Sequence, residues 1–176
     1  MSSNQTQLDA SDIFLELLEV AIHNVLYTRN LYPRSIYTPK KKYGVAVYQA
    51  IHPEVVQYIS ECLKAVEFYA RKNQLKKVFL CFELDGIVLE KFVFDLLQMQ
   101  GKSINDTFLV ELESTLRTFM LKLHSCQVYL QNIENPESTF SIQIETSNVS
   151  SLEFNENPSY QVRNQTKTLR LQNLSL

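Results

Sequence analysis

Four carboxylates, Glu83, Asp85, Glu90 and Asp95, crowd into one apolar stretch, and three histidines, His23, His52 and His124, stand apart along the chain. Paired carboxylates could act as general acid and base if they met across one site. In an extended segment, however, successive side chains alternate between faces, so Glu90 and Asp95 point to opposite sides. The histidines have neither HExxH nor CxxC…HxxxH spacing, so no metal set is expected. Serine, histidine and acid all occur, but no Gly-x-Ser-x-Gly sets a serine on a nucleophile elbow. Gly44, Gly86 and Gly101 are too far apart for a phosphate-cradling loop. Cys62, Cys81 and Cys126 lie in apolar contexts without a CxxC and read as reduced packing residues. Their odd number, and a polar Met1–Asp9 unsuited to a signal peptide, point to an intracellular, reducing compartment. The chain reads as a non-catalytic protein without cofactor or metal.

Composition narrows the class further. The 176 residues are 45% hydrophobic and 20% charged, as in one globular domain. The net charge of −2 argues against direct nucleic-acid binding, which usually needs a basic surface. No apolar run approaches the roughly 20 residues of a membrane span.

The elements that must position any site follow from periodicity. Ile13, Phe14, Leu17, Leu18, Ala21, Ile22, Val25 and Leu26 recur at helical spacing. Ser11 or Asp12 is expected to cap this helix and Pro33 to end it, with His23 and Asn24 off the apolar stripe. Two β-like pieces, around Ile36-Tyr37 and Tyr43–Tyr48, flank Lys40-Lys41-Lys42, which reads as a solvated turn. His52-Pro53-Glu54 opens a second helix, with Pro in the first turn where its missing N–H is harmless. Val78–Leu84 and Ile87–Leu97 flank Asp85-Gly86, a type I′ hairpin signal. We expect this pair at the centre of an antiparallel sheet. A third helix starts at Asn105 or Asp106, keeps its stripe to Leu130 and should cross the sheet. Phe140, Ile142 and Ile144 alternate with polar residues as a half-buried strand. Residues 147–167 are rich in Asn, Ser, Gln and Thr, and Thr168–Leu176 alternates again with a slip at Gln172-Asn173, as a bulged edge strand would.

Several of these segments carry ordered motifs. They are Phe14–His23 with Leu26-Tyr27 and Arg29, Tyr32-Pro33, Lys41-Lys42-Tyr43-x-Val45-x-Val47, His52-Pro53-Glu54-x-x-Gln57-Tyr58-Ile59, Lys77-Val78, Glu90–Phe94, Leu116-Arg117-x-Phe119-x-Leu121-Lys122 and Thr139-Phe140. In this order and spacing they resemble the HORMA-domain family, most of all its branch of accessory subunits of translesion DNA polymerase zeta. The resemblance spans about residues 13 to 146. It implies an α+β fold, an antiparallel sheet backed by three helices. It divides the chain into a flexible tail at 1–10, a HORMA core at 11–146 and a C-terminal safety-belt segment at 147–176.

What the resemblance implies for function is a non-catalytic adaptor. Its belt would close over a short Pro-containing peptide of the polymerase zeta catalytic subunit, and a second face would bridge to a Y-family scaffold polymerase. The checkpoint-type alternative binds a mitotic or meiotic regulator instead. Tyr32 and Tyr58 match positions that contact the partner's prolines. The third aromatic of that pocket in vertebrate members is a belt Trp; this chain has no Trp, and Phe154 or Tyr160 is left to fill the place. Arg117 and Lys122 match helix positions of HORMA homo- or heterodimers, and Leu171, Gln172 and Leu174 match the second-partner face. The resemblance also implies an AAA+ remodelling ATPase as a partner, and a nuclear location with some protein in the cytoplasm. The stretch from Thr146 to Thr168 is shorter than in vertebrate members.

Overall fold

The structure is a computed structural model that describes residues 10–95, 106–126, 128–130, 133 and 135–147. The elements run α1 (Ala10–Thr28), one 3-10 turn (Arg34–Ile36), β1 (Tyr37–Lys42), β2 (Val45–Ala50), α2 (Pro53–Arg71), β3 (Leu75–Leu84), β4 (Ile87–Asp95), α3 (Asp106–Cys126) and β5 (Thr139–Thr146). Among the described residues, three helices and two antiparallel sheets make an α+β fold. One sheet is the β1–β2 hairpin; the other has the order β4-β3-β5.

The β3 strand is the centre of the larger sheet. Val78, Leu80, Cys81 and Phe82 are fully buried and Phe79 nearly so, as the unbroken apolar run requires of a strand covered on both faces. The Asp85-Gly86 turn has φ of 51° and 77°, the left-handed pair of a type I′ loop. The hairpin is therefore as read, but it is not a central pair: among the described residues β4 flanks β3 on one side and β5 on the other. A second two-residue turn, Tyr43-Gly44 with φ of 53° and 73°, joins β1 to β2. The lysine run thus belongs to strand β1 rather than to a turn, and Lys42 pairs with Glu16 of α1.

Helix α1 is the axis of the core. Phe14, Leu17, Leu18, Ala21, Ile22, Val25 and Leu26 are buried at helical spacing. It begins at Ala10, one residue inside the expected tail, so Ser11 and Asp12 lie within its first turn rather than ahead of it. It also ends earlier than Pro33. Asn30 takes φ 52° and the Leu31 N–H reaches back to the Leu26 carbonyl, a left-handed termination. Although off the apolar stripe, His23 and Asn24 are both buried, at 2% and 1% exposure. Because α2, α3 and β2 all pack on α1, its buried surface is wider than its apolar stripe. Asn24 and the Nδ1 side of His23 stitch α1 to β2, while His23 Nε2 is buried without a hydrogen-bond partner. Asn24 Nδ2 donates to the Val20 carbonyl (2.7 Å), its Oδ1 accepts from Tyr48 N–H (3.0 Å), and His23 Nδ1 accepts from Ala50 N–H (3.2 Å).

Helix α2 starts at Pro53 as read, with His52 at its N-cap, and buries Ile59, Val66 and Tyr69. Helix α3 ends at Cys126, short of Leu130. It packs on α1 and β2, and Phe119 reaches Phe94 of β4 at 6.2 Å between ring centroids. No helix among the described residues is long and apolar enough to cross a membrane.

Candidate functional site

The four hairpin carboxylates do not converge. Glu90 forms a bidentate pair with Arg29 at 2.9 and 2.7 Å, locking the end of α1 to β4. Burial pushes the Glu90 carboxyl above its usual value, and the two guanidinium bonds pull it part of the way back. Glu83 accepts from Ser141 and Gln143 of β5, and Asp85 sits exposed in its turn. Among the described residues no cluster of His, Cys, Asp or Glu could hold a metal ion. His52 and His124 are exposed, in separate places, and His23 is sealed in the core.

An open groove of about 550 Å³ lies instead between the α1–β1 connection, the start of α2 and the start of β5. Tyr32, Pro33, Ile36, His52, Val55, Tyr58 and Phe140 line it, with Glu54 and Thr139. Each wall is placed by a local feature. The left-handed Asn30 turns the chain so that Tyr32-Pro33 faces α2. Pro53 starts α2 there, which sets Val55 and Tyr58 one turn in. Phe140 is the second residue of β5, and its ring is the floor on which both tyrosines stand. The Tyr32 and Tyr58 rings meet Phe140 edge-to-face, with centroids 6.1 and 5.3 Å away.

The two tyrosines are therefore brought together, as walls of one aromatic groove. Tyr58 is neither a core residue nor fully free: it is 37% exposed, and its hydroxyl accepts the backbone N–H of Ile142 at 3.2 Å. Burial is the main cause that pushes its phenol up to about 12, with the Ile142 N–H acting the other way. Burial likewise raises Tyr32, opposed by the Thr139 hydroxyl beside it. Such a site can grip apolar and ring-stacking side chains. Phe140, Thr139 and Ile36 are groove residues that motif reading passed over as strand residues. Their only signal was adjacency to the strand and helix starts.

Arg117 and Lys122 are exposed on α3. Five residues apart, they project about 140° from each other around the helix. Arg117 Nε donates to the Tyr43 carbonyl at 3.0 Å, and the group lies beside Glu113 at 3.4 Å, so it also ties α3 to the β1–β2 turn. Phe154, Leu171, Gln172 and Leu174 lie outside the described residues, as do residues 1–9 of the expected tail and all of the belt beyond Ser147.

A profile of the HORMA domain matches residues 11–169. The chain belongs to the HORMA-domain family. Among the relatives of this HORMA chain, the human mitotic spindle assembly checkpoint protein MAD2B is 38% identical over 138 residues, which are 77% of this chain and 65% of that protein. The chain thus spans just under two thirds of that relative's length. The DNA polymerase zeta subunit 2 of Drosophila melanogaster is 22% identical over 152 residues, 86% of this chain and 77% of the relative. In fold, the HORMA chain is similar to C. elegans HTP-2 bound to the HIM-3 closure motif, with a TM-score of 0.64 at 12% identity, covering 91% of this chain and 76% of that one.

Proposed function

We propose that this HORMA protein is a non-catalytic adaptor that clamps a short, extended, Pro-containing peptide of a partner under its C-terminal segment. One observation carries the reading: the Tyr32–Tyr58–Phe140 groove opens beside an edge of β5 that no described strand covers. An edge strand offers its backbone donors and acceptors to an incoming chain, and an adjacent aromatic pocket supplies side-chain selectivity. Proline suits this pocket because its flat ring packs on tyrosine faces and its restricted backbone loses little freedom on binding. A structural neighbour holding a closure motif supports the same use of the fold.

The partner we infer is the catalytic subunit of DNA polymerase zeta, in line with the name of the Drosophila relative. In this reading Phe154 closes the groove from the belt. Leu171, Gln172 and Leu174 form the face for a Y-family scaffold polymerase, and Arg117 with Lys122 the face for a second HORMA domain. The adaptor works in translesion synthesis in the nucleus, and an AAA+ ATPase resets the belt.

The test is fluorescence anisotropy with labelled overlapping peptides of the polymerase zeta catalytic subunit. Wild-type protein should capture a Pro-containing peptide, and removal of residues 147–176 should abolish capture. Retention of peptides from mitotic or meiotic regulators alone would replace this partner with the checkpoint-type one. No capture of any extended peptide would end the adaptor reading.

A further inference from the structure

The edge of β5 that faces the groove is not bare. Ile142 is paired across from Leu80 of β3, yet its N–H points away from β3 and into the hydroxyl of Tyr58. Backbone direction alternates along a strand, so Phe140, Ile142 and Ile144 turn their N–H and C=O groups to the outer edge, while Ser141 and Gln143 turn theirs to β3. Ile142 is the middle of these three outward positions. The side chain that serves it comes from α2, 84 residues earlier in the chain, and two contacts hold it there. Its ring edge rests on Phe140, and its own O–H donates toward the Cys62 thiol one turn further along α2.

We propose that the Tyr58 hydroxyl is a place-holder for a partner's backbone carbonyl. It accepts the Ile142 N–H and keeps the middle of the edge closed to strand pairing. A clamped peptide must displace it to continue its ladder past Ile142. The inference rests on the peptide-clamp reading and adds a gate to that site. An open edge pairs indiscriminately with other strands, including the edge of a second copy, so a side chain that occupies its central donor suppresses unselected pairing. Only a partner whose side chains fill the space between Tyr32 and Tyr58 recovers what is lost when the hydroxyl leaves. The ring and the hydroxyl of Tyr58 thereby act in opposite directions, the ring for the ligand and the hydroxyl against it.

Tyr58→Phe separates the two, because it keeps the ring on Phe140 and deletes only the oxygen. The first measurement needs no ligand: amide hydrogen exchange by NMR on the full chain. Exchange at Ile142 should accelerate at least about fivefold in Tyr58→Phe, the size of one modest hydrogen bond, while Ser141 and Gln143 stay as in wild type. Equal Ile142 exchange in both proteins overturns the place-holder. The second measurement is anisotropy with the peptide of the polymerase zeta catalytic subunit that wild type binds best. Tyr58→Phe should bind it about three- to tenfold more tightly, the equivalent of the same bond, whereas Tyr58→Ala binds it more weakly. If Tyr58→Phe binds no better than wild type, the place-holder is wrong and the clamp stands. If wild type captures no peptide at all, the clamp reading fails and takes the gate with it.

Discussion

On the α1 side, Arg29, His23 and Asn24 are sealed from water, and each meets a partner on a strand far along the chain. On the α2 side, Tyr32, Tyr58 and Phe140 line a groove open to solvent, and a backbone donor at the sheet edge is served by a side chain. The first region uses buried polar groups to hold α1, β2 and β4 in a single arrangement. Breaking any one removes a bond from a desolvated group that water reaches poorly. The second region uses polar groups that water or another chain can replace, so its contacts are exchangeable. Substitutions in the first region should therefore unfold the protein, and those in the second should change only what it binds.

The largest effect should come from Glu90→Gln. Arg29 has 3% of its side chain exposed and Glu90 16%, so removing the carboxylate takes the paired negative charge from a buried guanidinium. We expect a loss of about 3–5 kcal/mol in urea unfolding. A loss near that of a surface pair would show that the sealed region does not depend on it.

Next is the response to acid through His23. Burial first, and the nearby charge of Lys40 second, pull its folded value from 6.5 down to about 4, with Glu19 at 4.0 Å on the exposed side. As pH falls, the unfolded chain therefore binds this proton before the folded one does. His23 contributes fully above 6.5, and that contribution is lost on descending toward 4, on the order of 3 kcal/mol in total. His23→Gln, which cannot titrate, should flatten the stability profile over this window. An unchanged slope would place the acid sensitivity elsewhere.

In the groove the scale moves from stability to binding. Tyr32→Ala should weaken peptide capture by about tenfold, near 1.4 kcal/mol, with little shift of the urea midpoint. A large shift of the midpoint with unchanged affinity would make Tyr32 part of the frame, and the contrast between the two regions would not hold there.

The smallest effect belongs to Arg117→Ala. The side chain is half exposed, and although it bonds the Tyr43 carbonyl, its charge pair with Glu113 is screened. The expected cost is under about 1 kcal/mol. A greater loss would extend the sealed frame to the β1–β2 turn. Sedimentation of the same variant measures self-association separately.

Much of the frame was legible because it is written in local spacing. The apolar stripe of α1, the Pro53 start of α2 and the Asp85-Gly86 turn each depend on residues within a few positions of one another. Tyr32 and Tyr58 were legible as site residues only through family resemblance. Periodicity alone assigns Tyr58 to a core stripe, because the spacing cannot tell that α2 leaves this part of its stripe at the rim of a groove. His23 was misplaced for the converse reason: it lies off the stripe, but β2 folds over that flank. The lysines of β1 looked like a turn because three charges in a row mask a strand whose partner, Val45–Ala50, carries the apolar side chains.

From the sequence alone came the helices, the Asp85-Gly86 hairpin and the family, since hydrophobic period, turn-compatible residues and ordered motifs are properties of neighbouring positions. Which polar groups are sealed and which are offered to a partner was decided only in three dimensions. Arg29 meets Glu90 and Tyr58 meets Ile142 across separations of 61 and 84 residues, and burial depends on which elements happen to cover a surface. Local spacing describes one face of an element; the packing of the whole chain determines the fate of the others.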